Sequence, residues 1–180
     1  SYKNRKLAIV EAKSDELEVG EGVAQAKIYA QKLNLRFTYA ANGNEIYQID
    51  MEGSEGDVQS FPSPEELWKK TFGVSNQWQD NFDAVPFEDQ NGAKQPRYYQ
   101  ELAVNKAMEA IAGGEDRILL NLATGTGKTF ISFQIAWKLF KSRWNMQKDG
   151  KRQPRILFLA DRNILANQAF LDFGAFGEDA

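Results

Sequence analysis

Residues 118–129 read Ile-Leu-Leu-Asn-Leu-Ala-Thr-Gly-Thr-Gly-Lys-Thr. Ile118 to Leu122 is short and mostly apolar, the pattern of a buried strand. Ala123 to Thr129 is a loop of small residues ending in Gly127-Lys128-Thr129. From Phe130 the periodicity turns helical, with Phe130, Phe133, Trp137 and Phe140 at three- and four-residue spacing. Strand, glycine loop and helix in that order are the setting of a phosphate-binding loop. Glycines let the backbone N–H groups of Thr124, Gly125, Thr126 and Gly127 turn towards phosphate oxygens, and the helix N-terminus adds its dipole. Lys128 would reach the β and γ oxygens, and the Thr129 hydroxyl would ligate Mg²⁺.

The composition narrows the field. The 180 residues allow one domain or parts of two, and 42% hydrophobic content is enough for a packed core. There is no cysteine and no histidine, which excludes disulfides, thiolate or imidazole metal ligands and histidine-based triads within this chain. No apolar run approaches membrane-spanning length and no signal peptide is visible, so the expectation is a cytoplasmic protein without a membrane partner. Net charge is −3, but residues 138–155 hold seven cations (Lys138, Lys141, Arg143, Lys148, Lys151, Arg152 and Arg155) against Asp149. That is a local +6 and leaves about −9 elsewhere. Such a run reads equally as a solvated loop or as one that contacts phosphates.

Upstream, Lys6 to Ala12 reads as a buried strand, with Glu11 and Lys13 on one face because strand side chains alternate. The pair is either a surface salt bridge or a shared site for metal and water. An acidic loop with Gly20 and Gly22 leads to a helix over 23–33, on which Gln25 and Tyr29 are neighbours at i, i+4. Arg36 to Ala41 and Glu45 to Met51 read as strands joined at Asn42-Gly43, and 52–62 as a loop. Ser63-Pro64-Glu65-Glu66 opens a short helix. Residues 73–96 are polar and acidic and read as an interdomain linker packed through Trp78, Phe82 and Phe87. A helix follows Pro96-Arg97-Tyr98-Tyr99-Gln100 and ends at Gly113-Gly114. After the basic run, Arg155 to Ala160 reads as a second buried strand, and Asp161-Arg162-Asn163 caps another helix. Strand, phosphate-loop helix and strand predict a βαβ crossover.

Two resemblances follow from these residues. Glu11-x-Lys13 on a strand, Gln25-x-x-x-Tyr29 on the next helix and the Asn-Gly hairpin resemble the later half of a PD-(D/E)xK nuclease domain, as found in type I restriction enzyme motor subunits. That resemblance implies Glu11 as a Mg²⁺ ligand, Lys13 as the group that orients the attacking water, and Gln25 and Tyr29 as support for the site or the DNA. The family's upstream metal-binding Asp has no counterpart here. Ala123-x-Gly125-x-Gly127-Lys128-Thr129 lacks the glycine of the general phosphate loop at Leu122, and in this it resembles superfamily 2 helicases and translocases. Arg97-x-Tyr99-Gln100 resembles their Q motif, which implies that Gln100 binds adenine with a lesser share for Arg97. Asp161-Arg162-x-x-Leu165-x-x-Gln168 resembles their motif Ia, which implies DNA backbone contacts by Arg162 and Gln168.

The expected architecture is α/β: part of a restriction-endonuclease-like domain (1–72), a linker (73–96), and the start of a RecA-like phosphate-loop lobe with parallel strands (97–180). The resemblance implies an ATP- and Mg²⁺-dependent translocase and endonuclease of a type I restriction-modification system. It would act on unmethylated double-stranded DNA with methylation and specificity subunits as partners. The alternative is a helicase-like, DNA-dependent ATPase whose front domain is a degenerate nuclease fold used for binding. Both ends read as cuts through a longer protein, so these residues alone are expected neither to cleave DNA nor to hydrolyse ATP. A Walker B carboxylate and an arginine finger would lie beyond them.

Overall fold

Phe37 to Ala40 are buried on both faces of their strand, and the first half of the chain is built around them. The computed structural model describes residues 1–73, 76–89, 94–159 and 174–176. It divides the chain into two units, Ser1–Ser75 and Asn76–Ala180.

In the first unit, β1 (Ala8–Ala12), a 3₁₀ turn (Val19–Gly22) and α1 (Val23–Leu33) precede β2 (Phe37–Ala41). They are followed by β3 (Ile46–Asp50), β4 (Glu55–Val58) and α2 (Pro64–Phe72). The sheet order is β1-β2-β3-β4. β1 runs parallel to β2, with Glu11 opposite Ala40, and the remaining pairs are antiparallel. Alternation along β2 divides its side chains. Phe37 and Tyr39 join Leu7, Leu67 and Trp68 in one apolar cluster, which α2 completes. On β2 the Thr38 hydroxyl lies 3.1 Å from the Ile9 carbonyl and 3.4 Å from that of Ala26, with one hydrogen to share between them. Ala26 and Ala30, one turn apart and fully buried, let α1 lie close to its neighbours. Asn34, in the left-handed region at φ 51°, ends α1.

The hairpin turn forms at Asn42-Gly43 as expected. Gly43 takes φ +89°, and the Asn42 carboxamide accepts from the Asn44 and Glu45 N–H groups. Its amide nitrogen also donates to the Leu17 carbonyl, which ties the acidic loop to the hairpin. Ser63 and Glu66 form a reciprocal capping box on α2, with Pro64 at its first turn. Arg36 grips Asp50 through two bonds of 3.0 and 2.9 Å and donates to the Lys70 carbonyl. One strand was missed: β4 falls within the expected loop 52–62. Its Glu-Gly-Asp-Val sequence has little strand propensity, so pairing with β3 imposes the conformation.

In the second unit, α3 (Gln77–Ala84), α4 (Tyr98–Gly113) and α5 (Lys128–Lys141) pack around Phe82, Val104, Met108 and Ile131. Residues 76–89, read from sequence as linker, fold into this unit. Asn76 caps α3 and donates to the Ala112 carbonyl at the end of α4. The segment after α3 lies along α5. Gln134 accepts from the Glu88 N–H at 3.0 Å and donates to the Glu88 carbonyl at 2.7 Å. Lys138 is 1% exposed, and its ammonium donates to the Phe82 and Val85 carbonyls and lies over the Phe87 ring. Lys138 therefore belongs to the core and leaves the exposed basic run. Residues 76–89 are thus part of the second unit and not a linker between units. The aromatic residues spaced through this stretch, Trp78, Phe82 and Phe87, all join the core cluster.

Both strands expected in this half are absent as strands. Residues 118–122 and 155–159 take no regular secondary structure and pair with no strand among the described residues. Leu120 and Leu122 pack inward, while Leu119 is 91% exposed and Leu157 82%. The inside–outside alternation of 119–122 is that of a strand, but a strand also needs a neighbour for its N–H and C=O groups. The parallel βαβ crossover is accordingly not formed among the described residues. Ala160 and the expected helix after it lie outside the described residues.

Two outcomes follow. Burial, and then the charge of Asp50, push the Tyr39 phenol up to about 12. Because the folded state holds this proton above the ordinary value, the neutral phenol's contribution is complete below about pH 10. It is lost as pH rises towards about 12. Unfolding midpoints across that window should fall less steeply for Tyr39→Phe than for the parent. Lys138→Met strands two buried carbonyls and should cost about 1–3 kcal/mol, read by denaturant unfolding followed through tryptophan fluorescence.

Candidate nuclease and nucleotide sites

The first site lies in the first unit, where β1 ends. Lys13 N–H donates to the Ala41 carbonyl, continuing the β1–β2 ladder past Ala12 and holding the side chain beside α1. The Lys13 ammonium is 3.0 Å from Glu11 Oε1 and donates to Gln25 Oε1 at 3.1 Å. Gln25 Nε2 then donates to the Tyr29 hydroxyl at 2.9 Å. An ammonium can only donate, so it forces the amide oxygen of Gln25 towards itself and the amide nitrogen towards Tyr29. The four predicted residues thus form one connected chain. Strand alternation accounts for the first pair, the helical turn for the second, and only the packing of α1 joins Lys13 to Gln25.

Such a site can hold and orient a water molecule. Two of the three Lys13 N–H groups meet Glu11 and Gln25, which leaves a third for a water oxygen. Glu11 keeps a second carboxylate oxygen for a cation. The fit to a metal is incomplete, because no group of three Asp, Glu, His or Cys side chains gathers among the described residues. With Glu11 as its one carboxylate, this site would bind Mg²⁺ weakly.

From sequence, Gly22 is one of two glycines in an acidic loop before α1. In the structure it is buried, and a Cβ there would stand 3.2 Å from Ala40 Cβ and 3.5 Å from Cγ of both Glu11 and Lys13. The turn that launches α1 therefore sits directly against the Glu11–Lys13 pair. Nothing local distinguishes this glycine from Gly20, beside which there is open space.

The second site lies in the second unit, where α5 begins. Gly125 and Gly127 take φ of +80° and +81°, and Gly127 is the N-cap of α5. These left-handed positions curl residues 124–128 into a loop whose N–H groups can converge on phosphate oxygens. Within that loop Thr126 Oγ1 and Lys128 Nζ both donate to the Ala123 carbonyl, at 2.7 and 3.0 Å. Glycine loop, helix N-terminus, lysine and the Thr129 hydroxyl at the first turn of α5 together suit a nucleotide phosphate with its Mg²⁺.

Gln100, in the first turn of α4, braces this loop. Its Oε1 accepts from the Arg97 N–H and its Nε2 donates to the Thr126 carbonyl, both at 2.9 Å. A Cβ on Gly127 would stand 2.4 Å from that nitrogen, so this close approach requires glycine as well as the positive φ. Arg97 donates to the Tyr99 hydroxyl. The structure brings Gln100 to the phosphate loop and engages both ends of its amide. Arg162 and Gln168 lie outside the described residues. No described helix is long and apolar enough to cross a membrane.

Comparison with known proteins identifies what the chain is similar to. Residues 93–180 match the family described as type III restriction enzyme, res subunit, whose domain is RecA-like. The chain is 41% identical over 181 residues to the type I restriction enzyme EcoAI endonuclease subunit of Escherichia coli, covering 95% of this chain and 21% of that protein. It is 34% identical to the EcoKI endonuclease subunit of Escherichia coli strain K12, covering 81% of this chain and 12% of that protein. A fragment of an HsdR subunit of a type I restriction enzyme from Vibrio vulnificus YJ016 has a similar structure. Its TM-score is 0.80 at 41% identity, over 96% of this chain and 31% of that one. The chain therefore spans about a fifth or less of the curated relatives it matches. Across nearly all of its own length, it is a homologue of the endonuclease (HsdR) subunits of type I restriction enzymes.

Proposed function

We propose that these residues are part of a cytoplasmic, ATP-dependent DNA translocase and endonuclease that cuts unmethylated double-stranded DNA together with methylation and specificity subunits. The first unit supplies part of the nuclease site and the second the opening of the motor. The observation that carries the reading is the Lys13 ammonium, held between Glu11 and Gln25 in a chain that also carries a glycine loop braced by Gln100.

In the nuclease reading Glu11 contributes one oxygen to a divalent ion, which would supply positive charge against the phosphate. Lys13 orients water through its remaining N–H, while Gln25 keeps the ammonium in place and carries the link to Tyr29. Tyr29 is 38% exposed, so its ring can also meet DNA. In the motor reading the amides of Gly125 to Lys128 and the Lys128 ammonium hold the phosphates, with Thr129 towards Mg²⁺. For the Lys128 side chain this means exchanging the Ala123 carbonyl for phosphate oxygen. Gln100 recognises adenine. Because its amide already donates to Thr126 O, base recognition and the posture of the loop are coupled through one side chain.

A second reading keeps the motor and treats the first unit as a DNA-binding domain without nuclease activity. Loss of the upstream metal-binding Asp in the full-length protein would favour it.

The deciding experiment uses the complete subunit with methylation and specificity partners on unmethylated circular duplex DNA, with ATP and Mg²⁺. The parent should cut, and Lys13→Ala should lose about 10²-fold or more in cleavage while still hydrolysing ATP. A parent that hydrolyses ATP and never cuts would establish the binding-domain reading instead. Gln100→Ala should raise the Kd for ATP about tenfold, as expected for losing one well-formed polar contact, with little effect on GTP. Equal weakening of both nucleotides would limit Gln100 to bracing the loop.

A further inference from the structure

The exposed loop that follows α5, residues 142–155, is a built structure. Asn145 and Asp149 organise it from within. Asn145 Nδ2 donates to Asp149 Oδ1 at 2.7 Å and to the Arg152 carbonyl at 2.9 Å. Asn145 Oδ1 accepts from the Gln147 N–H, and Asp149 Oδ1 from the Lys151 N–H. Trp144 packs into the cluster around Phe82 and Ile131 and fixes the start of the loop. At Gly150, φ +66°, an added Cβ would be 3.9 Å from the Trp78 ring, so the loop's far side rests against α3. Arg143 and Lys148 adopt left-handed backbone at φ 57° and 53°, a conformation that costs a non-glycine residue about 1 kcal/mol or more.

This scaffold gathers like charge. Arg143, Lys148, Lys151, Arg152 and Arg155 are all exposed. Asp149 is the single carboxylate among residues 142–155, and its Oδ1 is occupied by bonds inside the loop. Arg152 approaches Asp149 at 3.9 Å and donates to Gln147. Arg143, Lys148, Lys151 and Arg155 form no ion pair among the described residues. A solvated run needs neither the internal hydrogen bonds nor the two left-handed cations. A fixed set of unpaired cations on a protein of net charge −3 is suited to a dense polyanion.

We propose that the 142–155 loop is a sequence-independent docking surface for the phosphodiester backbone of duplex DNA. The inference rests on the DNA-motor reading and names a surface which that reading leaves unassigned. α5 has 14 residues, so the loop lies about 20 Å along the helix axis from Lys128. It is therefore a contact separate from the nucleotide site, positioned by the same helix. Its contribution is electrostatic and should vary with salt and not with base sequence.

The test measures binding of a labelled non-specific duplex to the complete subunit, without ATP, over a range of salt concentrations. In the triple variant Lys148→Gln, Lys151→Gln, Arg155→Gln, the slope of log K against log salt should become shallower by roughly 2–3. Affinity at low salt should fall at least tenfold for every duplex tested. The charge-conserving set Lys148→Arg, Lys151→Arg, Arg155→Lys should keep both quantities. If the triple variant does not fold, each single Gln substitution should still lower the slope by roughly 1. An unchanged slope overturns the proposal. So does an unchanged slope with lost assembly, which would assign the loop to an acidic face of a partner subunit. ATP binding by the parent separates the two levels: if ATP binds and the slope does not move, the loop assignment fails and the motor stands. If the slope moves and ATP does not bind, the motor reading fails alone.

Discussion

An ammonium group taken out of water must be given acceptors, and in the second unit that requirement organises the chain. Lys138 is buried in α5 and bonds the carbonyls of Phe82 and Val85, while Gln134, one turn earlier, pairs with both backbone groups of Glu88. These bonds close the end of α3 and hold the following residues along α5. Phe82, Trp78 and Phe87 then complete the cluster in which Ile131 and Trp144 sit. The middle and later part of α5 is therefore tied to the main chain of 82–88 by polar contacts from Gln134 and Lys138. One end presents Lys128 and Thr129, the other the basic loop.

The same rule acts at smaller scale in the first unit. Lys13 is partly buried, and Glu11 and Gln25 hold its ammonium. This is possible because α1 comes close: Ala26 and Ala30 are fully buried and Gly22 has no side chain to separate the turn from Ala40. The close approach and the site are thus one feature. A larger residue at Gly22 would shift the turn that leads into α1 and, with it, the helix that carries Gln25 and Tyr29.

At both sites a glutamine does the joining. Gln25 accepts from a lysine and donates to a tyrosine, and Gln100 accepts from the Arg97 N–H and donates to the Thr126 carbonyl. A carboxamide can do this because it carries donor and acceptor at once without a charge to desolvate. Glutamate at either position would keep the acceptor and lose the donor. The geometry at both candidate sites therefore depends on uncharged side chains.

Local chemistry was readable from the sequence alone. Glycines at 125 and 127, the Asn42-Gly43 turn, the Ser63–Glu66 cap and the Glu11/Lys13 and Gln25/Tyr29 pairs depend on spacings of a few residues, which periodicity and backbone sterics dictate. Long-range pairing was not readable in that way. The contact between Lys13 and Gln25, the brace from Gln100 to Thr126, the burial of Lys138 and the tight fit at Gly22 each join residues brought together only by packing. β4 formed from a sequence with little strand propensity because β3 offered it a ladder. Residues 118–122 and 155–159, apolar enough to be strands, have no strand partner among the described residues and take no regular structure. Sequence determined which short segments could adopt each conformation and which residues could do chemistry there. Tertiary structure decided which of them met, because a hydrogen-bonded ladder, a satisfied buried charge and a close backbone approach each need a second surface that no local stretch contains.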